Sequence, residues 1–141
     1  MVNLDIYTDT ILDFIHSSTE RFTSEHAQPS SIGIYCCPWA GWLTINFNLH
    51  KSPEETGNNC PDFEFVEYAV LDLAAWQLEY EQDEPEFWTS GSKASYDEEK
   101  GDVTINSIVF SFLAPLMPYV KKRHPQPVLL QLLDSEYASV Y

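Results

Sequence analysis

The sequence predicts an α+β fold, with an antiparallel sheet of about four strands packed against an N-terminal and a C-terminal helix. Three observations carry that expectation. Apolar residues recur at helical spacing near both ends of the chain, and an alternating apolar and polar pattern occupies residues 32–49 between them. The chain has 141 residues, of which 44% are hydrophobic and 14% aromatic, enough for a single domain, residues 1–141, with its own core.

The first helix is expected from Asn3 to about Phe22. Leu4, Tyr7, Ile11, Leu12, Phe14, Ile15 and Phe22 share its inner face, and Asn3 is suited to the N-cap. Its outer face carries Asp5, Asp9 and Asp13 four residues apart, where like charges repel and only Asp5 gains from the helix dipole. Residues 23–31 form a polar loop. A hairpin follows, with Leu43, Ile45, Phe47 and Leu49 alternating against Trp42, Thr44, Asn46 and Asn48, and with turn residues at 38–41. Trp39 and Trp42 stand at that turn, either exposed or packed on the sheet edge.

Residues 50–61 read as a loop. Phe63, Phe65, Ala69, Leu71 and Leu73 then fall on one parity, as a third strand requires, and Glu67 on the same parity implies a bulge or an exposed position. A helix is the rival reading of residues 62–73. From about Ala74 the spacing of Leu73, Trp76 and Tyr80 predicts a short helix or turn, with Asp72 as a candidate cap, running into residues 82–85. Residues 89–102 read as a second loop. A helix is expected from Thr104 to about Arg123, kinked at Pro115, with Lys121, Lys122 and Arg123 at its C-terminal end. Residues 128–133 suit a buried strand, and residues 134–141 a polar and aromatic tail.

Charge is the abnormal property. The chain holds 22 acids against 7 bases, a net of -15, and residues 54–102 alone carry fifteen acids against two bases. Such a field repels nucleic acid phosphates and anionic lipids and attracts cationic surfaces, so the expected partner is a basic protein, with neither nucleic acid nor membrane. The apolar stretch 103–120 is interrupted by Asn106, Pro115 and Pro118 and reads as a core helix rather than a membrane span. The N-terminus has acids where a secretory signal carries bases. Three cysteines, two of them adjacent, and no glycosylation sequon point to a reducing cytoplasm.

No catalytic signature is present. His16, His26, His50 and His124 stand at no metal or triad spacing, so no metal and no cofactor is expected. A thiol nucleophile from Cys36, Cys37 or Cys60 with His50 as base is outweighed by the reading of free cysteines as small buried hydrophobes. The clusters Glu79 to Glu86 and Asp97, Glu98, Glu99, Asp102 lack the geometry of a calcium loop.

What remains is the juxtaposition within residues 62–88, whose scaffold half is residues 62–73. Trp76, Tyr80, Phe87 and Trp88 are residue types that dominate interface hot spots, and Glu79, Glu81, Asp83, Glu84 and Glu86 surround them with charge. These nine residues are the expected partner-binding set, with Asp5, Asp9 and Asp13 as an outlying acidic rim. The competing reading turns the aromatics to the core and the acids to water. In size, in acidity and in the run WQLEYEQDEPEFW beside the aromatic hairpin IYCCPWAGWLTINF, the chain resembles the small acidic immunity proteins of bacterial toxin systems, contact-dependent growth inhibition included. That resemblance implies a cytoplasmic, non-enzymatic protein that binds and neutralises a cognate toxin, and it transfers no residue role. The leading expectation is therefore an inhibitor of a basic toxin, a nuclease whose cationic groove accepts carboxylates in place of phosphates. The alternatives are a DNA mimic acting on a nucleic acid enzyme and a carboxylate-based metal enzyme.

Overall fold

The computed structural model describes residues 1–95, 97, 99–101 and 103–141. Its strands are β1 (Val2–Asn3), β2 (Ser31–Cys37), β3 (Trp42–Asn48), β4 (Phe65–Asp72), β5 (Glu86–Thr89), β6 (Ser92–Ser95), β7 (Val128–Leu132) and β8 (Ala138–Val140). Its α-helices are α1 (Thr8–Glu25), α2 (Ala74–Tyr80), α3 (Val103–Leu113) and α4 (Met117–Arg123). The fold is α+β, as expected. The main sheet has five strands in the order β4-β3-β2-β7-β8, and β1, β5 and β6 form a separate small sheet.

The main sheet is not wholly antiparallel. After β4 the chain crosses through α2, the small sheet, α3 and α4, and so returns β7 parallel to β2, Ile34 opposite Leu130. Val128, Leu129, Leu130 and Leu132 are fully buried, which is why this segment reads as a continuous apolar run. The tail beyond it is the edge strand β8, paired antiparallel to β7.

Asn3 does cap the first helical segment, its side chain accepting from the Asp5 backbone N–H at 3.0 Å. The first turn is wound as a 3-10 helix, Leu4–Tyr7, before α1 begins at Thr8. Ile11, Ile15 and Phe22 of α1 are buried on the sheet, Phe22 stacking on Phe47 at 4.3 Å. Pro115 breaks the last helical stretch as its missing N–H requires, so that a 3-10 turn, Ala114–Leu116, separates α3 from α4. By length and composition residues Val103–Arg123 would cross a membrane, and half of that stretch is buried inside the domain.

Residues 62–73 resolve to the strand β4. Glu67 is exposed with φ of 50°, where the register against β3 shifts between Ile45 and Phe47. Asn46 and Asn48 hold the irregularity, their side-chain carbonyls accepting from the N–H of Glu67 at 2.7 Å and Glu64 at 2.9 Å. Phe63 departs from the expected parity. It lies before the strand and packs with Cys60 and Leu129 on the opposite sheet face, where a Cβ on Gly33 would meet Cys60 and Phe63 at 2.9 Å.

Two stretches expected as loops are partly ordered. Residues 50–61 contain 3-10 turns at Glu54–Thr56 and Cys60–Asp62. Within residues 89–102 the chain makes the β5–β6 hairpin, whose two-residue turn Ser90 and Gly91 has positive φ at both positions, the twist that suits antiparallel strands. Of the acidic cluster at its end, Glu98 and Asp102 lie outside the described residues, and Asp97 accepts from the Glu99 backbone at 2.9 Å.

Candidate partner-binding surface

The aromatic and acidic run 76–88 is divided by its own periodicity. Leu73, Trp76 and Tyr80 line the inner side of α2, and Trp76 is fully buried, edge-on to Tyr7 at 5.5 Å and to Phe87 at 6.3 Å. Phe87 is fully buried too, while Tyr80 and Trp88 are half-buried, Tyr80 against the core. The indole N–H of Trp88 points inward and has no hydrogen-bond partner among the described residues. Trp76, Phe87 and the inner side of Tyr80 belong to the core, because a short amphipathic helix turns one row inward and a strand turns alternate residues inward; Trp88, next to Phe87 on β5, falls on the other parity.

The acids divide in the same way. Glu79 is buried and pairs with the Met1 amino group, and Glu86 pairs with Lys93 across the β5–β6 hairpin at 2.9 Å. Asp5 accepts from the Thr89 hydroxyl and from the Ser90 N–H at 2.9 Å, closing the hairpin turn. Asp5 is thus a structural acceptor rather than part of a rim. Glu81, Asp83 and Glu84 are exposed in the turn after α2, and Asp9 and Asp13 are exposed on α1. Among the described residues none of these five has an ion pair, so they supply uncompensated negative potential.

Two exposed apolar residues stand near the first group. Leu78 is 62% exposed and Ile6 is 70% exposed, and both line a shallow hollow with Tyr7, Ala75, Glu79 and Gln82. Both lie off the buried helical rows, Leu78 between Trp76 and Tyr80 and Ile6 between Leu4 and Tyr7, a phase readable from the sequence. Another exposed apolar residue, Trp39, stands in the β2–β3 turn. Gly41 has φ of 68° and accepts from the Leu73 N–H at 2.7 Å, and a Cβ there would lie 2.5 Å from the Leu73 carbonyl and 3.0 Å from the Gln77 nitrogen. The turn is therefore pressed onto the start of α2. The Gln77 side chain in turn donates to Glu81 at 3.3 Å.

A separate cleft lies elsewhere. About 820 Å³ in volume, it opens between the β5–β6 hairpin and α3, and its walls carry Lys93, Lys100, Thr104, Ser107 and Ser111. Of the residues expected to bind a partner it includes Asp5 alone, whose oxygens are already engaged.

Burial raises the thiol pKa values of Cys36 and Cys60, which keeps both protonated and poorly nucleophilic. Across the α1–α4 contact, His16 Nδ1 and His124 Nε2 are 3.1 Å apart and buried, and desolvation, with Arg123 nearby, lowers the pKa of both rings. Among the described residues no group of three or more His, Cys, Asp or Glu side chains is placed to hold a metal ion. Comparison with family models, curated proteins and solved structures found no match.

Proposed function

We propose that this protein binds a basic protein partner and neutralises it, as an immunity protein does a nuclease toxin, in the cytoplasm and without chemistry of its own. The observation that carries the reading is the exposed triad Glu81, Asp83 and Glu84 in the turn after α2, next to the hollow that exposed Leu78 and Ile6 line with Gln82. An apolar patch flanked by unpaired carboxylates suits a partner whose basic rim surrounds a few apolar contacts: desolvation there supplies affinity, and the attraction between opposite charges speeds encounter. The core aromatics Trp76, Tyr80 and Phe87 contribute rigidity, so ordering the site on binding costs little.

The test is capture of the partner from the native cell, followed by co-expression. The captured protein is expected to be basic and toxic when expressed alone, and harmless with this chain. Protection should fail when Glu81→Gln, Asp83→Asn and Glu84→Gln are combined. An acidic or harmless captured protein, or full protection by the triple variant, overturns the reading.

A further inference from the structure

The sheet face away from the helices carries a second cluster, made by β2, β3 and β4. Trp42 and Tyr35 meet there edge to face, with centroids 5.7 Å apart and planes at 71°, both half-buried. Register puts Asp72 directly across from Trp42, and Val70 across from Thr44, which itself faces Tyr35. Directly opposed residues share a face with their Cβ atoms about 5 Å apart, so the exposed Asp72 carboxylate stands beside the Trp42 ring. On the other flank exposed Asp134 is close enough for its charge to act on the Tyr35 hydroxyl. Val70, on the edge strand beside Thr44, is 57% exposed.

Two rings at a steep angle, with a carboxylate beside them, present a negative ring face and a negative charge to the same small volume. That is the environment a desolvated cation prefers, and a planar guanidinium can stack on one ring while donating to the acid. The chain's own cations that reach aromatic faces do so elsewhere, Arg21 over Tyr68 at 4.7 Å and Lys122 over Tyr119 at 5.3 Å. Neither Asp72 nor Asp134 is in an ion pair among the described residues. We infer that the Tyr35–Trp42 corner, completed by Asp72, is a pocket for an arginine side chain presented by a basic protein. The inference rests on the proposal above that the partner is basic. It adds a second and chemically defined contact to it.

The experiment uses hexa-arginine as the probe and its uncharged isostere hexa-citrulline as control, observed by nitrogen-proton NMR of the full chain. Hexa-arginine is expected to shift the Trp42 indole signal and the Asp72 amide at concentrations where hexa-citrulline does not. Trp42→Leu should weaken binding by between about threefold and about thirtyfold, and Trp42→Phe, which keeps a ring, should recover part of the loss. Asp72→Asn should weaken it without unfolding risk, since Asp72 is exposed at the end of its strand. Equal shifts from both peptides, or unchanged affinity in Trp42→Leu and Asp72→Asn, overturn the inference. Shifts at Leu78 and Glu81 with none at Trp42 overturn the corner and leave the α2 surface standing. Shifts at Trp42 with none around α2 support the corner while the α2 surface fails.

Discussion

The run 76–88 and the hairpin 34–47 are the two aromatic-rich segments of this chain, and they use their rings in opposite ways. Trp76 and Phe87 are fully buried and meet in the core. Trp39 is 42% exposed at the hairpin turn, and Trp42 and Tyr35 are half-buried on the sheet face that the helices do not cover. The difference comes from periodicity rather than composition. A helix of two turns has one inner row, and Trp76 and Tyr80 occupy it. A strand alternates, so Leu43, Ile45 and Phe47 satisfy the core while Trp42 and its neighbours are sent to the other side. Only the run 76–88 carries acids of its own; the hairpin has none, and its outward ring Trp42 meets a carboxylate only because β4 pairs Asp72 opposite it.

The largest test of this contrast is Trp76→Ala. Emptying a fully buried indole site should cost about 3 to 5 kcal/mol, read as a lowered urea midpoint. A loss below about 1 kcal/mol would mean that the ring is not a core element and would restore it as a contact residue. Next comes Gly41→Ala. Its φ of 68° and the 2.5 Å approach of a Cβ to the Leu73 carbonyl leave no room for a side chain. Because backbone cannot yield as a side-chain end does, the loss should be about 1 to 3 kcal/mol. The same substitution should also perturb the amides of Leu73 and Gln77, which link the two aromatic regions.

How much of this was legible in the sequence follows the same division. The helices, the hairpin, the bulge at Glu67 and the buried strand at residues 128–133 rest on local periodicity, and each is present. The parallel pairing of β2 with β7 was not legible, because it depends on a crossover of many residues that no local pattern encodes. The β5–β6 hairpin carries a two-residue turn signal in Ser90-Gly91, but its strands are only four residues each and too short to show an alternation of their own. At the site, the exposure of Glu81, Asp83 and Glu84 followed from their charge. The engagement of Asp5, Glu79 and Glu86 did not follow from it, since each partner is fixed only once β5 and β6 pair and the N-terminus lies beside α2. Leu78 and Ile6 needed attention to helical phase above residue size.

A third effect concerns the buried half of the molecule alone. His16 and His124 are held below their ordinary value of 6.5, first by burial and then by positive neighbours, while Asp13 and Glu20 act on His16 in the opposite sense. The unfolded chain therefore takes up protons more readily than the folded one. Stability is fully present above about pH 6.5 and declines as pH falls through the lowered folded values. Thermal midpoints between pH 7.5 and 5 should fall, and fall less in His124→Gln, which removes one of the two coupled rings. An equal decline in the variant would assign the acid sensitivity to other groups.

The smallest expected effect on stability is at the outer surface, where the contrast is sharpest. Leu78→Ser and Trp39→Ala remove exposed apolar groups, and combined neutralisation of Glu81, Asp83 and Glu84 relieves mutual repulsion, so each should leave stability within about 0.5 kcal/mol of the parent. Binding should respond differently to the two kinds of change. Loss of the apolar contacts should speed dissociation with the salt dependence intact, whereas loss of the acids should slow association and flatten its dependence on salt, because steering acts on encounter. Association kinetics with the captured partner across a salt series would separate the two. If the acid variant kept the steep salt dependence, the field would arise from carboxylates elsewhere, with exposed Asp9 and Asp13 on α1 the next to neutralise.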